Sequence, residues 1–254
     1  FEMIQKLAPE IVSSEPGRLK SEKLPHLEMV IGFADSIPDG FIDFSSLKGR
    51  ASQTDRDRIG ELEQSLSPFD PINIQFTSGT TGSPKGATLT HHNILNNAFF
   101  VGEAIRLTPD DRVAIPVPLY HCFGMVMGNL GALTHGATVV YPSPVFEPAS
   151  TLQAVQDERC TALYGVPTMF VAELALEDFA GYDLSSLRTG IMAGAPCPID
   201  TMKRVIGDMN MSEVTIAYGM TETSPVSFQS SVNDSLERRV TTIGQVLPHV
   251  EVKI

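Results

Sequence analysis

The segment Phe76–Gly86, which reads F-T-S-G-T-T-G-S-P-K-G, concentrates residue types that bind phosphate. Its glycines allow backbone N–H groups to turn toward one centre, its hydroxyls add further donors, and its lysine adds a mobile positive charge. This composition predicts a loop that cradles a polyphosphate. The candidate phosphate-binding residues are Thr77, Ser78, Gly79, Thr80, Thr81, Gly82, Ser83, Pro84 and Lys85.

The same segment departs from the Walker A pattern G-x-x-x-x-G-K-[ST]. Read from Gly79, Pro84 stands where the second glycine belongs, and Gly86 stands where Ser or Thr belongs. Proline removes a backbone N–H and fixes φ, so a P-loop kinase or GTPase is disfavoured. A flexible Ser/Thr/Gly linker would explain the composition, but not the Pro-Lys-Gly ending between two apolar, strand-like runs.

The chain resembles the acyl-adenylate-forming enzymes, which include acyl-CoA synthetases, luciferases and peptide-synthetase adenylation domains. The loop matches that family's Y-T-S-G-T-T-G-x-P-K-G signature, with Phe76 in place of tyrosine. Three further blocks follow in the family's order: Pro118–Gly124 (P-L-Y-H-C-F-G), Ala193–Pro196 (A-G-A-P) and Tyr218–Glu222 (Y-G-M-T-E). Within the family, the chain is most similar to the medium-chain acyl-CoA synthetases of the family-member-2 type.

The resemblance implies a two-step reaction with ATP, Mg²⁺ and coenzyme A. A carboxylic acid, expected to be a medium-chain fatty acid, first gives acyl-AMP and then acyl-CoA. The resemblance gives catalytic roles to Lys85, Thr221, Glu222 and His121, and a metal-binding role to Thr77 and Glu222. It also assigns further nucleotide-binding residues: Gly194, Ala195, Pro196, Ala217, Tyr218, Gly219, Met220 and Thr221.

Two of these residues have other readings. Glu222, expected to help hold Mg²⁺, would also suit a helix cap or an ion pair with Arg238 or Arg239. His121, expected beside the incoming carboxylate, lies among apolar residues, where a histidine is often a hydrogen-bonded core group. Tyr218 is expected to stack on adenine, and Gly194 to let the backbone pass close to the base.

The elements around these motifs alternate between strand-like and helix-like patterns. The sequence predicts an α/β fold, a largely parallel β-sheet flanked by helices, as in the large N-terminal domain of acyl-CoA synthetases. Predicted strands are 72–76, 87–89, 113–117, 137–141, 161–164, 189–192 and 213–216, and predicted helices are about 90–106, 121–134, 147–159, 167–177 and 198–209. The motifs at 193–196 and 218–222 follow strands directly, where open α/β sheets bind ligands.

The helix predicted at 121–134 is apolar around nearly its whole circumference, which indicates burial. Its glycines at 124, 128 and 131 are poor helix formers. Either a slim ligand such as an alkyl chain or close packing against a sheet explains them.

Residues 1–69 are more polar and loop-rich than the βα-alternating core at 70–254, with one predicted strand (29–33) and one charged helix near 54–66. We expect residues 1–254 to be part of a larger AMP-binding N-terminal domain, without the family's small C-terminal domain. The ribose-binding aspartate and the adenylation lysine of the family are then expected outside these residues. We expect the 254 residues alone to have little or no activity.

The net charge of −12 disfavours nucleic-acid binding, so the anionic ATP must be held by local donors and Mg²⁺. Cys122, Cys160 and Cys197 are too far apart for a disulfide framework or metal cluster and are expected to be reduced, structural thiols. No apolar run reaches the length of a membrane span. The expected compartment is the cytoplasm, or the mitochondrial matrix if a transit segment precedes Phe1, and homo-oligomer formation is compatible with the sequence.

Two other functions remain open at the level of sequence. An adenylating ligase of this kind can pass its acyl group to a carrier protein instead of coenzyme A. A nucleotide-binding module without catalysis is the second alternative, although Lys85, Thr221 and Glu222 are all present.

Overall fold

The structure is a computed structural model that describes residues 1–77 and 82–253. These residues form two compact units, Phe1–Leu66 and a second unit that begins at Ser67. The sequence predictions at Ser78, Gly79, Thr80 and Thr81 lie outside the described residues.

The first unit is built around a small apolar cluster of Ala8, Ile11, Leu19 and Phe41. The predicted strand at 29–33 contributes only two residues to a ladder, because it pairs with a single short partner. The predicted helix near 54–66 is present and begins with a capping box between Ser52 and Asp55. In chain order the elements are α1 (Glu2–Leu7), β1 (Ile31–Gly32), β2 (Ile42–Asp43), α2 (Leu47–Arg50) and α3 (Gln53–Ser65).

The second unit contains a hairpin, a seven-stranded sheet and the helices that cover it. Its strands are β3 (Pro71–Thr77), β4 (Lys85–Thr90), β5 (Arg112–Ala114), β6 (Thr138–Val140), β7 (Ala162–Gly165), β8 (Thr189–Ala193), β9 (Glu213–Gly219), β10 (Val226–Gln229) and β11 (Gln245–Val246). Its helices are α4 (His91–Ala104), α5 (Gly131–His135), α6 (Pro148–Asp157), α7 (Pro167–Leu174), α8 (Ile199–Asp208) and α9 (Leu236–Thr241), with a π-helical segment, Phe123–Leu130, leading directly into α5.

The large sheet has the strand order β11-β10-β9-β8-β7-β5-β6. The five strands from β9 to β6 are parallel, and β10 and β11 add an antiparallel edge. The predicted α/β fold with a largely parallel, helix-flanked sheet is therefore confirmed.

Alternation along the buried strands divides the core into two layers. Tyr164 and Ile191 face the layer that contains Val101 of α4 and Phe123 of the π-helical segment. Leu163 and its neighbours on the other face pack with side chains of α6, α7 and α8. The central strands β7 and β8 are buried on both faces because helices cover both sides of the sheet.

The helix predicted at 121–134 is divided, since Phe123–Leu130 has π-helical hydrogen bonding and only Gly131–His135 is α-helical. A Cβ on Gly124 would lie 2.5 Å from the backbone oxygen of Pro118, and one on Gly128 would lie 2.8 Å from Ile115 Cδ1. Close packing against the chain that follows β5 therefore explains these two glycines, without a ligand alongside.

The phosphate-loop motif lies between two strands, as the sequence predicts, and the structure pairs them antiparallel. β3 and β4 form a separate two-stranded hairpin in which Thr77 pairs with Lys85. α4 follows at once, with Thr90 as its N-cap in a capping box with Asn93, which fixes the direction in which the chain leaves the hairpin.

Candidate functional site

A cavity of about 430 Å³ lies at the carboxyl ends of β8 and β9. Ala193 and Ala217 are partners in the parallel ladder, so the segments that follow them leave the sheet side by side. The cavity is lined by Thr77, His121, Cys122, Phe123, Met127, Ala193, Gly194, Ala217, Tyr218, Gly219, Met220, Thr221, Glu222, Pro225 and Val226.

The phosphate-loop hairpin meets the Y-G-M-T-E motif at this cavity. Thr77 Oγ1 donates a hydrogen bond of 3.2 Å to Glu222 Oε1, across 145 residues of sequence. Lys85, the first residue of β4, is the cross-strand partner of Thr77. The structure thus brings together two segments that sequence reasoning expected to enclose one triphosphate.

The contacts of the neighbouring arginines exclude one alternative for Glu222. Arg238 forms an ion pair with Asp234 at 3.2 Å, and Arg239 is buried, donating to backbone carbonyls of Ser212, Val214 and Val232. The alternative reading of Glu222 as the ion-pair partner of Arg238 or Arg239 is therefore wrong. The carboxylate accepts from Thr77 instead and stays exposed at the cavity.

The donor set around Glu222 fits Mg²⁺. No group of three or more His, Cys, Asp or Glu side chains that could hold a metal occurs within residues 1–77 and 82–253. Mg²⁺ usually binds one or two carboxylates and takes its remaining ligands from water and substrate phosphates. A single exposed carboxylate beside a phosphate-loop hairpin suits that mode of binding.

His121 is exposed at the cavity, so its alternative reading as a buried core histidine is wrong. Its Nδ1 accepts a 3.1 Å hydrogen bond from the backbone N–H of Phe123. The neutral imidazole therefore carries its proton on Nε2, which leaves that nitrogen as a donor.

Gly194, which directly follows β8, and Tyr218, in the adjacent strand β9, both line the cavity. Gly194 has a φ of +86°, a conformation that residues with a side chain rarely adopt, so glycine is required for the turn itself. Tyr218 lies within β9 rather than after it and is 47% exposed, with its ring 6.1 Å from that of Phe228. An exposed aromatic face next to a glycine suits a planar ligand group.

Not every predicted site residue lines this cavity. Gly82, Ser83, Pro84 and Lys85 lie at the exposed end of the hairpin, and Ala195 and Pro196 are exposed beyond Gly194. Their expected roles in nucleotide binding are therefore not supported by contact with the cavity, and they remain predictions.

Sequence reasoning missed several residues of the site. Phe123, inside the P-L-Y-H-C-F-G motif but not singled out there, forms an apolar wall together with Met127, Pro225 and Val226, whose only signal was proximity to motifs. Cys122 was read as a structural thiol, yet it also lines the cavity.

Asn97 of α4 is a further residue that sequence reasoning missed. Its side-chain Nδ2 donates to the backbone oxygen of Val226 at 2.7 Å, and its Oδ1 accepts from the N–H of Val226 at 3.1 Å. Asn97 is buried, and this pair of bonds attaches α4 to the strand that forms a cavity wall. A polar side chain on an otherwise apolar helix face was the available signal.

Comparison with known proteins agrees with this geometry. A family model described as "AMP-binding enzyme" matches residues 12–254. The medium-chain acyl-CoA ligase ACSF2, mitochondrial, of Bos taurus is 44% identical over all of this chain and 42% of its own length. The acyl-CoA ligase SID4 of Ajellomyces capsulatus is 47% identical over 92% of this chain and 40% of its own length. The chain thus spans less than half the length of these curated relatives.

Among solved structures, ATP-bound MatB from Rhodopseudomonas palustris superposes with a TM-score of 0.62 and 29% sequence identity, over 72% of this chain and 35% of MatB. The family match extends over nearly the whole chain and includes every motif around the cavity. The chain belongs to the AMP-binding enzyme family.

Proposed function

We propose that this chain forms the nucleotide- and acid-binding part of an ATP-dependent acyl-CoA ligase acting on a fatty acid, with medium-chain acids as the expected substrates. The observation that carries the proposal is the hydrogen bond between Thr77 and Glu222. It joins a phosphate-binding hairpin to an acidic motif at the edge of the sheet where α/β proteins bind nucleotides.

In the proposed first step, a carboxylate oxygen of the acid attacks the α-phosphorus of ATP. A bond forms between that oxygen and phosphorus, the bond to the bridging oxygen breaks, and pyrophosphate leaves. Lys85 and the hydroxyls of the hairpin neutralise charge on the leaving phosphates, and the Thr221 hydroxyl donates to the α-phosphate. In the second step the sulfur of coenzyme A bonds to the acyl carbon, the bond from that carbon to the phosphate oxygen breaks, AMP leaves and the thiol proton passes to solvent.

The remaining site residues bind and orient. Tyr218 stacks on the adenine, and Gly194 leaves room for the base to lie against the backbone. His121, with its proton on Nε2, donates a hydrogen bond to the incoming acid. Thr77 and Glu222 would hold Mg²⁺, which would supply positive charge next to the phosphates.

The names of the relatives support this proposal. Both are named acyl-CoA ligases, and the MatB structure contains ATP. The cellular compartment of the full-length protein stays a prediction, the cytoplasm or the mitochondrial matrix. The bovine relative is named mitochondrial. Within the described residues, no helix has both the length and the apolar character that crossing a bilayer requires.

The test is ATP–pyrophosphate exchange by the full-length protein across a panel of carboxylic acids of increasing chain length. We expect exchange with medium-chain acids and acyl-CoA formation when coenzyme A is added. Lys85→Ala and Glu222→Gln should each lower exchange by roughly ten- to a hundredfold, since each removes a charge-assisted interaction of about 1.5–3 kcal/mol.

Matched controls are Lys203→Ala and Glu237→Gln, which change the same residue types on the exposed faces of α8 and α9. They should retain wild-type exchange. Acyl transfer to a carrier protein but not to coenzyme A would favour the first alternative function. Nucleotide binding without exchange for any acid would refute the ligase proposal and favour the non-catalytic alternative.

A further inference from the structure

The thiol of Cys122 lies between two motifs that form the cavity. Its Sγ is 3.6 Å from Nδ1 of His121 and 3.6 Å from Oγ1 of Thr221, which is 99 residues away in sequence. The side chain is only 2% exposed and lines the cavity. Cys122 is therefore in contact with a residue to which we give a direct role in phosphate binding.

Either atom of the Cys122–Thr221 contact can donate, and counting the acceptors around the thiol favours its S–H as the donor. Nδ1 of a neutral imidazole has one lone pair in the ring plane, and here it accepts the backbone N–H of Phe123 at 3.1 Å. Burial raises the pKa of the Cys122 thiol, and the nearby carboxylate of Glu222 raises it further, although the hydrogen bond with Thr221 acts in the opposite sense. The thiol is thus protonated at neutral pH. Its single proton has a free acceptor in Thr221 Oγ1.

A hydroxyl that accepts a proton from sulfur must point its own proton elsewhere. Thr221 lines the cavity, so the available direction for its O–H is toward a ligand inside it. Without the thiol, the hydroxyl proton would be free to occupy any of three staggered positions.

We infer that Cys122 is a positioning residue: its S–H donates to Thr221 Oγ1 and so directs the Thr221 hydroxyl proton toward an anionic oxygen of the nucleotide. This inference rests on the proposed function, since it refines how that site binds phosphate. Cys122 touches neither substrate in this scheme and acts through Thr221.

The test compares Cys122→Ser with Cys122→Ala in ATP–pyrophosphate exchange by the full-length protein, with kcat and the KM for ATP measured separately. Serine keeps a donor of shorter reach, whereas alanine removes the donor. We expect kcat to fall about threefold in Cys122→Ala, because the freed hydroxyl proton can occupy three staggered positions. Cys122→Ser should recover part of this loss, and the KM for ATP should stay within about twofold in both.

The control is Cys160→Ala, because Cys160 is fully buried in a different apolar cluster. It deletes the same atom and should lower thermal stability without lowering kcat. If Cys122 only fills space, alanine should equal or exceed serine in both kcat and stability, since a buried hydroxyl costs more than a methyl group. That order, or wild-type kcat in Cys122→Ala, overturns the inference while leaving the ligase proposal intact. Absence of exchange in the wild-type protein overturns both.

Discussion

Replacing Asn97 with alanine should destabilise the protein strongly, although the residue belongs to no family motif. Its amide makes two hydrogen bonds, of 2.7 and 3.1 Å, with the backbone of Val226, and the residue is 8% exposed. Truncation removes both of these side-chain partners from the buried N–H and C=O of Val226. At about 1–3 kcal/mol for each of these two groups, the free energy of unfolding should fall by roughly 2–6 kcal/mol.

Asn96 provides a matched control on the same helix. Its side chain donates to the backbone oxygen of His92 at 2.7 Å, but this local bond is exposed to solvent. Both substitutions to alanine gain the same helix propensity, so the difference between them isolates the bonds to Val226. Asn96→Ala should change the free energy of unfolding by less than about 0.5 kcal/mol.

The measurement is urea-induced unfolding of the two variants and the wild type, followed by far-UV circular dichroism. Because Val226 also forms a wall of the cavity, Asn97→Ala should in addition weaken nucleotide binding. If the two asparagine variants unfold within about 0.5 kcal/mol of each other, the Asn97–Val226 bonds do not hold α4 to the sheet, and the reasoning fails.

Three further predictions concern buried groups of the second unit and one glycine of the first. Burial raises the pKa of the Glu173 carboxyl well above 4.5, so the stability of the protonated native form is fully present below pH 4.5 and is lost as pH rises toward the raised pKa. The free energy of unfolding, measured with urea at pH 5 and pH 8, should therefore change less with pH for Glu173→Gln than for wild type. An equal change in the two proteins would contradict this. Asp111→Asn should cost roughly 2–3 kcal/mol in the same assay at pH 7, because the buried carboxylate bonds Arg188 at 2.7 Å, and an unchanged midpoint would refute it. Gly124→Ala should lower the melting temperature because its Cβ would lie 2.5 Å from a backbone oxygen, whereas Gly60→Ala, in the exposed helix α3 with open space around it, should raise stability by about 0.5–1 kcal/mol. Equal changes in stability of the two glycine variants would show that the close approach of Gly124 to the Pro118 backbone oxygen does not determine the effect of the substitution.

Some elements could be predicted from sequence because their signals are local. Thr90 marks the start of α4 through the preference of its hydroxyl for an N-cap, and Pro198 directly precedes α8. The alternation of short apolar runs with helical segments predicted the parallel sheet, since each buried strand is apolar on both faces. The two strands on either side of the phosphate-loop motif were likewise predictable from their alternating pattern.

Other features depended on neighbours that sequence spacing does not reveal. The π-helical hydrogen bonding of Phe123–Leu130 does not follow from an apolar pattern that is equally compatible with an α-helix. From the sequence, an ion pair with Arg238 or Arg239 stayed open as an alternative for Glu222, because only the fold shows that Thr77 reaches the carboxylate.

The sequence by itself determined the chemistry available to this protein: hydroxyls, glycines and a lysine in one loop, and a threonine–glutamate pair after a strand. The tertiary structure alone decided that these groups meet, that the Cys122 thiol touches Thr221, and that Asn97 holds the wall formed by Val226. Residue type and local spacing fix what a side chain can donate or accept. Only the packing of strands and helices, which brings together residues about a hundred or more apart in sequence, fixes the partner of each hydrogen bond.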